Sequence, residues 1–294
     1  MELNNLIVRA AQPEDKTAVL DFCQHTWADT EDYIAEVWDV WMGDPSGQIL
    51  VAEFEGRAIA MTRMVQLSDQ EGWWEGLRVD PQYRGRGVVR CLDPAIAHYF
   101  QSRNISTIRC CVGAWNHAMP PIIKRRGYEL VGRYLIHSAE AISVETVNLK
   151  ATSTKPLKQL TVDDCEQAWQ LIQQGKESPL FICRGAKWQT LTRKQLQERL
   201  QGGKVWGYWH HPLQGLLIQS HLENEDSVLW VGHIEGNPDG LVGLLEGMKS
   251  LAFHLKYPKV SGFFLKTAPL LSALEQAGYS ASPTGEFWVY EKRT

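Results

Sequence analysis

Residues 79–90 read VDPQYRGRGVVR. Gly85 and Gly87 alternate here with Arg84 and Arg86, directly before a helical apolar pattern that starts at Val88. Glycine removes the side chain that would hold a ligand off the backbone, so successive N–H groups of such a loop turn into one concavity. A helix over 88–103 adds its unpartnered first-turn N–H groups and the positive end of its dipole to the same space. A pyrophosphate fits that pattern, with Arg84 and Arg86 supplying charge around it. A plain surface turn produces the same residues, so the loop alone leaves both readings open. Two phosphate loops are excluded: no Gly-Lys-Ser/Thr follows, and Val88-Val89-Arg90 stands where a dinucleotide fingerprint needs its third glycine.

Outward from the loop, GWWEGLRV before it and TIRCCV after its helix read as strands. Upstream lie a strand at 6–9, helices at 15–27 and 32–41, and a hairpin of ILVAEF and AIAMTRMVQL about Glu55-Gly56. Downstream come a short helix ending before Gly127 and a strand near YELVGRYLI. The second half predicts helices at 163–174 and 192–200, then strands near KVWGYW, GLLIQSHL and VLWVGHI. A helix at 239–255, a strand at KVSGFFL, a helix at 268–276 and a closing strand EFWVYE complete it. Strands mixed with helices on both sides of a sheet make the fold α/β (α+β).

The two halves echo each other. RAAQPEDKTAVLDF and KQLTVDDCEQAWQLI align Arg9 with Lys158, an offset of 149 (158 minus 9). Gly127-Tyr128 and Gly278-Tyr279 align at 151 (278 minus 127). Nearly equal offsets point to a duplicated unit, and the polar ATSTKP at 151–156 divides domains 1–150 and 151–294. A length of 294 residues suits two domains, each with its own core.

A net charge of -4 argues against nucleic-acid or anionic-membrane binding, and no apolar run is long enough to span a bilayer. The start lacks a signal-peptide pattern, so a cytoplasmic location is expected. Six cysteines without C-x-x-C spacing read as free thiols. His98, His117 and the His210-His211 pair lack partners at ligand spacing, so no metal is expected.

The segment LRVDPQYRGRGVV resembles the acetyl-CoA-binding segment of the GNAT (Gcn5-related) N-acetyltransferases, a strand followed by Gln/Arg-x-x-Gly-x-Gly/Ala and a helix. Gln82, Gly85 and Gly87 occupy those positions. NHAMPPIIKRRGY, from Asn116 to Tyr128, is similar to the family's later Asn-x-x-Ala-x-x-Leu-Tyr-x-x-x-Gly-Phe. The resemblance covers most of 5–140 and reaches the second half through the repeat. It implies two GNAT-like domains, each a mixed, largely antiparallel central sheet flanked by helices.

It further implies acetyl-CoA as co-substrate. The strand segment Leu77, Arg78 and Val79 would run beside the pantetheine arm, with the backbone of Leu77 and Val79 pairing to it. Gln82, Arg84, Gly85, Arg86, Gly87, Val88 and Val89 would wrap the pyrophosphate, and Asn116 would hydrogen-bond near the pantetheine. Main-chain pairing of an extended, amide-bearing ligand with an open strand edge is physically sound.

Direct transfer needs a neutral amine, hence a base. Strand alternation places Glu75 on the face of Leu77 and Val79, where it serves as that base or only orients the sheet and substrate. Trp73 and Trp74 read as core ahead of pocket lining. Where the family often carries an acidic Tyr this chain has Ile123, and Pro120-Pro121 leave Asn116 in a loop if the helix starts there. In the second half EGNPDGLVG replaces the glycine loop, with Glu235 and Asp239 repelling a pyrophosphate. That half is expected to be degenerate and to shape the acceptor site.

The leading expectation is an N-acetyltransferase of a small amine or amino acid. A narrower resemblance, to tandem relatives that acetylate a free amino acid such as histidine, points the same way. A protein lysine or N-terminus as acceptor, or a non-catalytic acyl-CoA sensor, are the alternatives. The chain is expected to be a monomer or homodimer.

Overall fold

The computed structural model describes residues 5–26, 32–143, 157–175, 180–209, 212–221 and 227–294. By compactness the chain divides into residues 1–110 with 127–129 and 291–294, and residues 111–126 with 130–290. These units interleave along the sequence, so compactness measures something different from the repeat boundary expected near 150.

In the first unit, β1 (Ile7–Ala10), α1 (Asp15–Cys23) and α2 (Ile34–Gly43) lead into the hairpin β2 (Gly47–Phe54) and β3 (Arg57–Gln66). Glu55 and Gly56 both take positive φ, 51° and 80°, the turn that matches strand twist. Next come β4 (Glu71–Val79), α3 (Val88–Gln101), which runs through Pro94, and β5 (Thr107–Gly113). The sheet order is β1-β2-β3-β4-β5, antiparallel until the parallel β4–β5 pair. Val19, Phe22, Ile34, Trp38 and Trp41 of α1 and α2 bury against Ile49, Val51 and Met61 of the sheet.

The second unit holds α4 (Met119–Arg125), β6 (Glu129–Glu140), β7 (Lys158–Gln159) and α5 (Cys165–Gln173). After them come β8 (Leu180–Arg184), β9 (Lys187–Thr190), α6 (Arg193–Gln201), β10 (Val205–Trp209), β11 (Leu213–Ser220) and β12 (Val228–Gly236). α7 (Pro238–His254), β13 (Lys259–Leu265), α8 (Ala268–Gln276) and β14 (Ser280–Arg293) close it. Its strands run in the order β7-β10-β11-β12-β13-β6, and β8 and β9 make a separate hairpin. The sequence reading lacked that hairpin. Its turn uses Gly185 and Ala186 at φ 47° and 52°, and alanine there is no turn signal.

The repeat has physical substance. Arg9 grips Asp15 at 2.7 and 2.8 Å, and Asp15 accepts the N–H of Gln12, three residues back. Lys158 meets Asp164 at 3.0 Å, and Asp164 accepts the N–H of Thr161, again three residues back. Both devices fix a strand-to-helix entrance. Gly127 and Gly278, at φ 80° and 74°, each end a helix in the left-handed conformation ahead of a buried tyrosine. In both units the strand leading to the long helix first pairs in parallel with the next strand and then bulges against its antiparallel neighbour, at Met61/Arg63 and at Ile218/Gln219.

Candidate active site

Within the first unit, β4 is held on its two edges over different lengths. The parallel ladder with β5 runs from Glu71↔Thr107 to Trp73↔Arg109, whereas the antiparallel ladder with β3 continues to Val79↔Ala60. Asp80 donates its N–H to Ile59 at 2.8 Å, so one residue earlier the peptide groups of Val79 point to the opposite edge. There the Val79 carbonyl accepts Nε of Arg84 at 3.1 Å. The far half of β4 thus carries main-chain groups on the edge away from β3.

The loop follows at once. A turn of 3₁₀ helix, Pro81–Tyr83, is capped by the buried carboxylate of Asp80, which takes the N–H of Gln82 at 2.9 Å. Gly85 and Gly87 sit at φ 75° and 84°, and a Cβ built on either meets nothing within 4 Å. The empty space therefore lies where side chains would stand. Gly87 is the left-handed N-cap of α3, with Val88 buried beneath it and Val89 half-buried. Arg84 and Arg86 are exposed, and Arg86 rests over the Tyr83 ring at 5.6 Å.

The bulge corrects one expectation. Glu75 pairs with Arg63 and Val79 with Ala60, partners three residues apart instead of four. One extra residue at Gly76, whose φ is 68°, turns Glu75 to the face opposite Val79. On that face Glu75 accepts from Arg63 at 2.5 Å and from the Trp73 indole at 3.1 Å. Arg63 also reaches Asp44 at 2.5 Å, while its Nε lacks a partner among the described residues. With 2 % of its side chain exposed, Arg63 is an interior cation held by two carboxylates and the face of Trp41.

Arg78, read from the sequence as part of the cofactor strand, turns its guanidinium inward to Asp32 at 2.6 and 3.0 Å. Trp73 and Trp74 are both buried, and Trp74 donates to Thr62 at 2.7 Å. Neither Arg63 nor Asp32 was singled out in the sequence. The signal for Arg63 was a lone charge inside AIAMTRMV, since a buried guanidinium requires an anion.

Asn116 lies in the loop before α4 and belongs to the second unit. Its N–H donates to Gly113 at 2.9 Å and its carbonyl accepts from Met119 at 3.2 Å. α4 begins at Met119 with a proline in its first turn, so Pro120 and Pro121 are tolerated where N–H groups have no intrahelical partner. Ile123, in the same unit, is fully buried.

The second unit's counterpart of the loop is built differently. The Asn237 side chain caps α7 by accepting the Gly240 N–H at 2.8 Å, and Pro238 has no N–H to offer. Asp239 is exposed in that first turn. His98 and His117 are exposed, and His210-His211 lie outside the described residues. The cysteines are free thiols, with Cys110 buried and Cys111 half-buried. Among the described residues no cluster of three or more His, Cys, Asp or Glu could hold a metal, and no helix is long and apolar enough to cross a membrane.

The model of the acetyltransferase (GNAT) family matches residues 15–128, which include β4, the glycine loop and α3. Residues 15–128 form a GNAT domain. Among solved structures, the chain is similar to a GCN5-related N-acetyltransferase from Sphaerobacter thermophilus, at 14% identity and a TM-score of 0.64 over 100% of this chain and 97% of that one. A GCN5-related N-acetyltransferase from Kribbella flavida aligns at 14% identity and a TM-score of 0.53, over 99% and 71%. A tandem GNAT protein from the clavulanic acid biosynthesis pathway aligns at 12% identity and a TM-score of 0.55, over 98% of each chain. No curated protein matches.

At these identities the likeness is one of fold, and it spans both halves, so the repeat is a tandem of GNAT-like units. The match over residues 15–128 brings acetyl transfer as the class of chemistry of that domain.

Proposed function

We propose that the GNAT domain binds acetyl-CoA along the far half of β4 and in the 82–89 loop, and transfers the acetyl group directly to the amine of a small molecule or amino acid. The observation that carries this reading is the pair of left-handed glycines with open Cβ space at the start of α3, immediately after a strand whose outer edge carries main-chain groups. Residues there fit a diphosphate, because the space is bounded by backbone and by Arg84 and Arg86 instead of by side chains or carboxylates. When bound, the co-substrate supplies an activated thioester.

This chain's part is to orient and to handle protons. The main chain of Leu77 and Val79 aligns the pantetheine amides, and Gln82, Val88 and Val89 frame the diphosphate. Asn116 is assigned to the pantetheine end by its place in the motif alone. Glu75 takes the amine's proton directly or through water, and Arg63 fixes its carboxylate in direction by the hydrogen bond between them.

A sensor that binds acyl-CoA without turnover is favoured by one observation: the position of the usual tyrosine acid is the buried Ile123. Release of CoA from acetyl-CoA across a panel of small amines, free amino acids and peptides separates the readings. Turnover with a small amine supports the proposal, turnover with peptides alone moves the acceptor class, and binding without turnover on any amine establishes the sensor.

A further inference from the structure

The second unit holds a partly open cavity of about 310 Å³ where β12 and β13 separate. Their parallel ladder runs from Val228↔Lys259 to Val231↔Gly262. Beyond its end, His233 and Glu235 of β12 and Phe263 and Leu265 of β13 form walls, with Tyr134 of β6 and Leu270 of α8 completing them. All of these belong to the second unit. A cavity of this size with apolar walls and a few polar groups has the character of a small-molecule site.

Its polar groups share one property. Glu235 accepts the Gly236 N–H at 3.3 Å, and among the described residues no cation pairs with it. Burial raises its pKa, against the effect of that hydrogen bond. Nδ1 of His233 lies 3.1 Å from the Leu180 carbonyl, which can only accept, so Nδ1 carries the hydrogen and Nε2 is an acceptor. That Nε2 is buried with no partner among the described residues, and burial holds the ring's pKa at about 4, leaving the imidazole neutral near pH 7. Pairing with Ile218 and Leu216 of β11 puts His233 and Glu235 on one face of β12. The wall therefore offers a carboxylate without a counter-ion among the described residues, beside an imidazole that accepts.

The adjoining end of α7 gives an anion little to hold. Its Gly240 N–H is taken by Asn237, and a Cβ at Gly240 would stand 2.3 Å from the Gln214 carbonyl oxygen, so the backbone there is closed. An uncompensated carboxylate at an apolar cavity calls for a ligand that brings both a donor and a positive charge. We propose that this cavity binds a compact hydrophobic amine, with its ammonium on Glu235 and its apolar body among Phe263, Leu265 and Leu270. The site is independent of the acetyl-CoA reading of the first unit.

Calorimetric titration of the full chain with phenethylamine, phenethyl alcohol and phenylacetate tests it. The amine is expected to bind, the alcohol about tenfold or more weakly, and the carboxylate not measurably. Glu235→Gln should weaken the amine about tenfold while leaving the alcohol unchanged, and Leu270→Trp, which fills the cavity, should abolish both. Near-UV circular dichroism checks each variant's fold, and Glu235→Gln decides alone if Leu270→Trp does not fold. Absence of amine binding, equal affinity for amine and alcohol, or amine binding that survives these variants would each overturn the proposal. The last outcome places the amine in another site. Gly85→Glu should keep amine binding, so failure here is separable from failure of the acetyl-CoA reading.

Discussion

Gly85→Glu places a carboxylate at the centre of the loop, and the structure sets its cost on two scales. At φ 75° a side chain pays the left-handed penalty, about 1–2 kcal/mol of folding stability, yet a Cβ meets no atom within 4 Å, so no clash adds to it. A drop in Tm of a few degrees is expected for a chain of this size. The charge acts on the ligand: a carboxylate about 5 Å from one phosphate charge opposes it by roughly 1 kcal/mol at the dielectric of water and about 3 kcal/mol at the effective value near a protein surface. Affinity for acetyl-CoA should therefore fall roughly five- to two-hundred-fold. Gly85→Ala carries the same backbone penalty without the charge and separates the two effects. Titration calorimetry at low and high salt reads the difference, which should shrink with salt as the added charge is screened. If both variants are folded and bind acetyl-CoA as the wild type does, the loop is no part of the cofactor site.

Glu75→Gln should lower turnover about a hundredfold near neutral pH with acetyl-CoA affinity unchanged, and the deficit should narrow as pH rises and the acceptor amine loses its own proton; a constant deficit at every pH would make Glu75 a structural partner of Arg63. Calorimetry should count one acetyl-CoA per chain, because Asn237 and Pro238 close the second unit's helix end to a diphosphate; a stoichiometry of two would contradict this. The last prediction concerns acid stability. Burial lowers the His233 pKa from 6.5 to about 4, so between those values the unfolded chain binds a proton that the folded chain refuses. Stability from this group is complete above about pH 6.5 and is lost on acidification toward pH 4, a contribution on the order of 3 kcal/mol. Denaturant unfolding should show a smaller loss between neutral and acid pH in His233→Gln than in the wild type, and equal losses would refute it.

Sequence alone determined much of the fold, because the features concerned are local. The Glu55-Gly56 hairpin, the Arg9 and Lys158 entrances and the Gly127 and Gly278 helix ends each depend on a few adjacent residues whose backbone preferences are intrinsic. The glycine loop was legible for the same reason, since φ values of 75° and 84° favour glycine whatever the rest of the chain does. Tertiary structure alone decided what faces what. Strict alternation put Glu75 beside Val79, but one extra residue at Gly76 reverses the face of everything before it, and a bulge becomes visible only when β3 supplies the register. Arg63 drew no reading and Arg78 was read as part of the cofactor strand, whereas folding closes Asp44 and Asp32, distant in sequence, on them. Glu235 read as a mere obstacle to phosphate, and the divergence of β12 from β13 makes it instead the one carboxylate, among the described residues, that lines the cavity. Local geometry is written in neighbouring residues, whereas register, burial and charge pairing arise between segments that meet only on folding.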